Sequence, residues 1–151
     1  MDSKHNNTDN SSRSRLLVLI VDDDHDLIAD MQLLLAPHFE IVSSVRSGLG
    51  MQILLRHHPD CVLLDINMEQ YFGSDKRLEG LAFLKELRTN IDDVSIKNTP
   101  VILISSSEII TEESRIEHSA NAFFQKPVDI ITLVKKIEVL CTKKNNSSQN
   151  I

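Results

Sequence analysis

The feature that most constrains this chain is an alternation of two kinds of segment between residues 16 and 141. Five short runs are densely apolar, and most are rich in Val and Ile: residues 16–21, 41–45, 61–64, 101–104 and 122–124. Such runs are typical of strands that are buried on both faces, because a strand with one solvated face would alternate apolar and polar side chains.

The segments between these runs carry apolar residues at helical spacing. The first contains Leu27, Ile28, Met31, Leu34 and Leu35, and the last repeats the pattern over residues 130–141. Shorter stripes cover residues 49–54 and 81–87, and the stretch 111–118 is more polar, so its helix is the weakest of these predictions. Five strands alternating with five helices predict an α/β fold, a doubly wound parallel sheet with helices on both faces.

The polar ends of the chain indicate the limits of the domain, and the net charge excludes some classes of partner. Residues 1–14 and 142–151 are rich in Asn, Ser and Lys, so we expect disordered polar tails around one domain at 15–141. The net charge of −6, without a cluster of Lys and Arg, argues against nucleic acid or an anionic membrane as a partner. No apolar stretch approaches the ~20 residues of a membrane span, and the N-terminus does not resemble a secretory signal.

The two cysteines give the expected compartment. Cys61 and Cys141 both lie inside apolar segments, which is typical of buried thiols in a reducing environment. A disulfide between them remains an alternative at this stage, since sequence alone does not fix their separation. We expect a cytoplasmic protein.

Polar residues follow four of the five predicted strands. Asp22 and Asp23 come after the first strand, Asp65 after the third, Ser105 after the fourth and Lys126 after the fifth. Singly, each has an ordinary explanation as a helix cap, a turn residue or a loop residue. In open parallel sheets, however, ligands bind beyond the carboxyl ends of the strands, where these residues would meet. Their coincidence therefore predicts a site.

The residue types indicate the chemistry of that site. Asp22, Asp23 and Asp65 offer the oxygen ligands that Mg²⁺ prefers, and a bound cation would relieve their mutual repulsion. One Asp could then act as a nucleophile toward a phosphoryl group and form an acyl phosphate. Ser105 and Lys126 would hold the phosphoryl oxygens, because such transfer depends mainly on positioning and charge neutralisation.

In this order and spacing, the motifs resemble the receiver domain of bacterial two-component response regulators. They are VDDD, PDCVLLDIN, EGLAFLKELR, PVILISS and AFFQKP, and the resemblance runs from about residue 16 to residue 141. It implies a flavodoxin-like (βα)5 fold. It also implies a signalling domain that phosphorylates and dephosphorylates itself with Mg²⁺, and that is not otherwise an enzyme.

The resemblance also assigns roles to the acidic residues. It makes Asp65 the phosphoacceptor, Asp23 the direct metal ligand and Asp22 a neighbour that acts largely through water. Asn67 falls where the family uses a backbone carbonyl as a further metal ligand.

Four more residues gain roles in the same way. Ser105 matches the hydroxyl residue that moves to the phosphoryl group, and Phe123 the aromatic residue whose rotamer changes with it. Lys126 matches the family lysine, and its bond to Pro127 is cis in the family.

The implied partners are proteins. A receiver takes its phosphoryl group from a histidine kinase or a histidine phosphotransfer protein and signals to a downstream protein target. A homodimer is also compatible with the resemblance. Only ten residues follow Cys141, so we expect a stand-alone receiver.

One segment departs from the family pattern. The family usually has Pro four residues after the acceptor and Gly eight after it, whereas here Glu69 replaces the Pro and Gly80 comes fifteen residues after Asp65. The loop at 68–79 is therefore about seven residues longer. It is either a tolerated surface insertion or, through Tyr71 and Phe72, a contact with a partner or a lid over the site.

Two further departures lie near the fourth and fifth strands. Residues 91–99 lengthen the connection before the fourth strand, and Ser119 replaces a frequent Gly before the fifth.

Three alternative functions stay open. A pseudo-receiver would be an interaction module that is not phosphorylated. A haloacid-dehalogenase-like phosphohydrolase also uses a strand-end Asp and Mg²⁺, but it carries a second Asp where this chain has Asn67. A nucleotide-binding flavodoxin relative is the weakest, because the four glycines form no phosphate-binding motif.

Overall fold

The structure is a computed structural model, and it describes residues 14–66, 77–106 and 119–147. Five strands form one sheet: β1 (Leu17–Val21), β2 (Glu40–Ser44), β3 (Cys61–Asp65), β4 (Val101–Ser105) and β5 (Ala122–Gln125). Every pairing is parallel, and the order is β2-β1-β3-β4-β5. This confirms the predicted flavodoxin-like sheet. Its strand order reverses between β1 and β3, which is where such folds bind their ligands.

The helices of the described residues are α1 (His25–Leu35), α2 (Ser47–His57), α3 (Arg77–Thr89), α4 (Val94–Lys97) and α5 (Ile130–Ser147). Four of them contain the apolar stripes found in the sequence. The short helix α4 was not predicted, since four residues within a lengthened connection carry no helical period. The helix expected at 111–118 lies outside the described residues.

The sheet separates two hydrophobic cores, because successive side chains of a strand point to opposite faces. From β1, Val18 and Ile20 join α1 and α5 on one face, while Leu19 and Val21 join α2 and α3 on the other. The central strands β3 and β4 are buried along their whole length. The prediction of strands buried on both faces is thus correct for the centre of the sheet, whereas the edge strands β2 and β5 are partly exposed.

Local signals fix the start of α1 and the end of α2. The Asp24 carboxylate accepts hydrogen bonds from the backbone N–H groups of Asp26 and Leu27, so Asp24 is the N-cap of α1. Helix α2 ends at His57, and His58 follows in a left-handed conformation before Pro59.

The last helix is longer than the domain boundary proposed from sequence. Helix α5 continues to Ser147, six residues beyond Cys141, so residues 142–147 are helical rather than part of a disordered tail. Two of these residues are lysines, which have good helix propensity and favour the C-terminal end of a helix. Residues 1–13 and 148–151, the rest of the predicted tails, lie outside the described residues.

Two further expectations concern the cysteines and the membrane. Cys61 and Cys141 are both buried and are not joined in a disulfide, as the sequence predicted. Among the described helices, none combines the length and the apolar character that crossing a membrane requires.

Candidate functional site

The acidic site lies at the carboxyl ends of the neighbouring strands β1 and β3. In the β1–β3 pairing Val21 lies opposite Leu64, so the next residues, Asp22 and Asp65, lie side by side at the strand ends. The Asp22 N–H donates to the carbonyl of Ser44 at 3.1 Å, which holds this end of β1 against β2. Asp22 and Asp65 are each only 3% exposed. The fold therefore places two carboxylates in one largely desolvated position.

Asp23 completes a cluster of three carboxylates. One oxygen from each of Asp22, Asp23 and Asp65 lies within 4.8 Å of the other two. At about that distance and an effective dielectric constant of ~20, two like charges repel by roughly 3–4 kcal/mol. Carboxylate oxygens are the ligands of hard cations, and Mg²⁺ keeps several waters that span distances a direct bond does not. The donor set thus fits a hydrated divalent cation.

Lys126 supplies a positive charge to this cluster. Its Nζ lies 3.2 Å from Oδ2 of Asp22 and 3.5 Å from Oδ1 of Asp65. The Lys126 N–H donates to the Ser105 carbonyl at 2.8 Å, which continues the β4–β5 pairing past Gln125. The peptide bond from Lys126 to Pro127 is cis. One ammonium group faces three carboxylates, so these four side chains carry a formal charge of −2.

Ser105 and Phe123 lie on the neighbouring strands and on the same face of the sheet. Ser105 is the last residue of β4, is fully buried and pairs with Gln125. Phe123 pairs with Leu103, two residues before Ser105, so the two side chains are diagonal neighbours. Phe123 is partly buried against the core that contains α2 and α3.

Gly80 brings α3 into direct contact with the strand end that carries Asp65. A Cβ atom added at Gly80 would lie 2.6 Å from the Asp65 carbonyl oxygen and 2.8 Å from Cα of Ile66. Both are backbone atoms, so no side chain can turn away to make room. The first turn of α3 therefore packs directly against the strand end that carries Asp65. The sequence identified Gly80 by its motif, but this contact is visible only in the structure.

The structure brings together Asp22, Asp23, Asp65 and Lys126, and places Ser105 at the adjacent strand end. Asn67, the expected carbonyl ligand, lies outside the described residues, as do Glu69, Tyr71 and Phe72 of the long loop. Sequence reasoning missed Arg88, which donates four hydrogen bonds to segments that precede β4 and β5. Its only signal was its place at the end of the EGLAFLKELR motif.

Comparison with known proteins indicates the family of the chain. The family model of the response regulator receiver domain matches residues 18–138. The transcriptional regulatory protein PrrA of Mycobacterium tuberculosis is 26% identical over 132 residues, which are 87% of this chain but 52% of PrrA. The polar-differentiation response regulator DivK of Brucella abortus is 25% identical over 127 residues, 83% of this chain and 94% of DivK. The chain thus spans about half the length of PrrA and nearly all of DivK.

Solved structures share the fold. A CheY-like receiver domain protein from Methanospirillum hungatei superposes with a TM-score of 0.72 at 20% identity, covering 89% of this chain and 99% of that one. The BeF3-activated receiver domain of RstA from Klebsiella pneumoniae gives 0.65 at 20% identity, with coverage of 83% and 97%. At this level of identity the likeness concerns the fold.

Proposed function

The chain belongs to the response regulator receiver domain family of two-component systems, and we propose that it accepts a phosphoryl group on Asp65. The observation that carries the proposal is the meeting of Asp22, Asp23 and Asp65 within 4.8 Å, with the Lys126 ammonium 3.5 Å from Asp65. This arrangement gives a nucleophile, an acidic cation site and a fixed positive charge at one strand end.

In the proposed reaction an Asp65 carboxylate oxygen attacks the phosphorus of a phosphohistidine. The N–P bond breaks, its electron pair stays on the imidazole, and an acyl phosphate forms on Asp65. Mg²⁺, when bound, would neutralise the charge on the transferred phosphoryl group. Asp23 would bind it directly, Asp22 largely through water, and the Asn67 carbonyl would be a further ligand. Lys126 and Ser105 would hold the phosphoryl oxygens.

The contacts of Asp22 suit a role in holding this arrangement together. Its Oδ2 atom forms an ion pair with Nζ of Lys126 at 3.2 Å, and its Oδ1 atom accepts a hydrogen bond from the Asp24 N–H at 2.9 Å. Asp22 therefore orients Lys126 while the Asp24 contact begins the turn into α1. This division of its two oxygens supports an indirect, water-mediated role toward the cation rather than direct ligation.

The response to phosphorylation would travel through Ser105 and Phe123. Their diagonal placement on one face lets a movement of the Ser105 side chain change the space open to Phe123. Phe123 is partly exposed on an edge strand, so its rotamer would alter the surface around β4 and β5. We propose that this surface signals by protein–protein interaction.

The proposed partners follow from this chemistry. A histidine kinase or a histidine phosphotransfer protein would donate the phosphoryl group, and a downstream protein would read the changed surface, in a homodimer or as a monomer. The net charge of −6 argues for protein rather than nucleic acid as the partner. We propose a cytoplasmic location, where the kinase domains of such systems act.

The test is phosphorylation by a small donor. The protein is incubated with acetyl phosphate and Mg²⁺, and its intact mass is read beside two variants, Asp65→Asn and Asp60→Asn. Asp60 lies at the other end of β3, where its carboxylate accepts the Leu17 N–H at 2.8 Å. We expect one added phosphoryl group in the wild type and in Asp60→Asn, lost in Asp65→Asn and without Mg²⁺. No addition to a folded wild type, and no binding of beryllofluoride, would identify a pseudo-receiver instead.

A further inference from the structure

The strand β5, which contains Phe123 and leads to Lys126, is only partly buried. β5 has four residues, lies at the edge of the sheet and, within the described part of the chain, pairs with β4 alone. Of its residues, Ala122 is buried, and exposure increases toward Gln125. Its two phenylalanines are only partly buried against the two cores, so we infer that the contacts at its two ends help to fix its position. At the carboxyl end these contacts include the Lys126 bonds described above.

At the amino end, Arg88 of α3 joins several segments. Its guanidinium donates from Nε to the Ser119 carbonyl at 3.1 Å and from one terminal nitrogen to the Asn121 side-chain oxygen at 3.0 Å. The other terminal nitrogen donates to the carbonyls of Lys97 and Thr99 at 2.6 and 2.9 Å. Four of the five N–H donors of an arginine are thereby engaged. Burial lowers the pKa of Arg88 from its usual value, yet an arginine remains protonated in proteins.

The acceptors of Arg88 determine where β5 begins. Asn121 is the residue before β5, and its side-chain oxygen also accepts the Val101 N–H at 2.9 Å, while its own N–H donates to the Val101 carbonyl at 2.9 Å. Ser119 has a φ of 59°, a left-handed conformation that favours glycine. The hydrogen bond from Arg88 to its carbonyl offsets part of the cost of that conformation. Arg88 thus fixes the turn that leads into β5.

The same helix also touches the strand end of the nucleophile. Near its start, Gly80 rests against the backbone of Asp65 and Ile66. Near its end, Arg88 holds the entry of β5. A helix is a stiff element, so α3 relates the position of Asp65 to that of the strand carrying Lys126.

We propose that Arg88 is a positioning residue for phosphoryl transfer: by anchoring the amino end of β5, it keeps Lys126 at its distance from Asp65. This inference rests on the proposed function. Without the anchor, β5 can shift against β4, and Lys126 moves with it, because only four residues separate the anchored Asn121 from Lys126. Asp22 and Asp23 follow β1, a strand that does not neighbour β5 in the sheet, and are not moved.

The test compares Arg88→Gln and Arg88→Lys with Arg15→Gln. Arg15 also donates to a backbone carbonyl, that of Ala36, but does not contact β5 in the structure. The glutamine has too few donors for the four acceptors, and the lysine has three donors on a single nitrogen. We expect the acetyl phosphate rate at saturating Mg²⁺ to fall about tenfold to a hundredfold in Arg88→Gln, less in Arg88→Lys, and less than about twofold in Arg15→Gln. The concentration of Mg²⁺ giving half the maximal rate should stay within about twofold.

A double-mutant cycle separates positioning from general destabilisation. If Arg88 acts through Lys126, adding Arg88→Gln to Lys126→Ala should lower the remaining rate by less than about twofold, although it lowers the thermal midpoint as in the wild type. A full tenfold further loss would show that Arg88 acts independently of Lys126 and would overturn the proposal. If Arg88→Gln does not fold, Arg88→Lys takes its place in the cycle.

Hydrogen exchange of the unphosphorylated protein gives a readout independent of the chemistry. The amides of Asn121 and Lys126, which donate to the Val101 and Ser105 carbonyls, should exchange at least about tenfold faster in Arg88→Gln, and the Asp22 amide should not. If the Asn121 and Lys126 amides exchange in Arg88→Gln at the same rate as in the wild type, or if the Asp22 amide is accelerated as much as they are, Arg88 does not anchor β5. The two proposals can also fail separately. If the wild type takes no phosphoryl group, but β5 exchanges faster in Arg88→Gln than in the wild type, the proposed function and the role of Arg88 in transfer are refuted. The structural role of Arg88 as an anchor of β5 then still holds.

Discussion

The two ends of the sheet handle buried charge in opposite ways. At the carboxyl rim, formed by Asp22, Asp23, Asp65 and Lys126, three carboxylates face one ammonium group. At the amino rim, formed by Asp60, Arg88 and Asn121, charged groups meet neutral partners: Asp60 accepts the Leu17 N–H, and Arg88 donates to carbonyl and amide oxygens.

This difference distinguishes charged groups that hold the fold together from charged groups that form the candidate site. At the amino rim each charged group is satisfied by hydrogen bonds to neighbouring neutral groups. Such a group can hold the chain in place at a modest desolvation cost. At the carboxyl rim like charges are crowded, and a cation or a change of charge is needed to relieve them. Excess charge of one sign, rather than burial alone, therefore marks the site.

The largest expected effect breaks the backbone contact that shapes the carboxyl rim. Gly80→Ala would place a Cβ 2.6 Å from the Asp65 carbonyl oxygen, so either α3 or the strand end must move. We expect a loss of about 3 kcal/mol in the free energy of unfolding, measured by urea denaturation, with slower phosphorylation. Gly48→Ala is the matched control: nothing lies within 4 Å of its added Cβ, so it should stabilise α2 by about 0.5 kcal/mol. Equal effects of the two variants would contradict the close packing.

The second prediction compares the same substitution, Asp to Asn, at the two rims. Without Mg²⁺, Asp65→Asn removes a charge that two carboxylates repel and one ammonium attracts, so we expect the free energy of unfolding to rise by about 1–2 kcal/mol. Asp60→Asn should instead lower it by about 1 kcal/mol, because it weakens the hydrogen bond to Leu17.

Magnesium should reverse the gain at the carboxyl rim. A cation that binds the folded wild type stabilises it by about 1.4 kcal/mol at ten times its dissociation constant, and Asp65→Asn should bind it more weakly. Denaturant titrations of both proteins with and without Mg²⁺ measure the stability gained by Asp65→Asn without metal and the stabilisation that Mg²⁺ gives to each protein. A loss of stability in metal-free Asp65→Asn would mean that the Lys126 attraction outweighs the repulsion, and the distinction between the rims would fail.

The sequence predicted those features whose cause lies in residue type and period. Apolar runs and helical stripes gave the sheet, and the rule for strand ends placed Asp22, Asp65 and Lys126 together before any distance was known. It missed Arg88, because three of its acceptors are backbone carbonyls, which every residue has. It also could not show why position 80 is Gly, since the atoms that exclude a side chain belong to residues fourteen and fifteen positions earlier. Contacts with the backbone of distant residues have no signature in sequence.

The smallest effect concerns a carboxylate on the amino side of the sheet, in the connection before β4. Asp93 caps α4: its Oδ1 accepts the Ser95 hydroxyl at 2.6 Å and the backbone N–H groups of Ser95 and Ile96 at 2.9 and 3.4 Å. These bonds, that of the Ser95 side chain first, lower the pKa of Asp93 below its usual value. Its contribution to stability is therefore complete above the usual pKa of about 3.9 and is lost as the pH falls through the lower, folded pKa.

An NMR titration of the Asp93 carboxyl carbon should show that low pKa, and Ser95→Ala should raise it toward the usual value. Because neutral donors rather than a cation stabilise this carboxylate, the titration should not change when Mg²⁺ is added, whereas the signals of Asp22, Asp23 and Asp65 should shift. An Asp93 pKa that ignores Ser95→Ala would show that the cap does not hold the charge. A response of Asp93 to Mg²⁺ equal to that of the acidic cluster would show that crowded charge is not what sets the carboxyl rim apart.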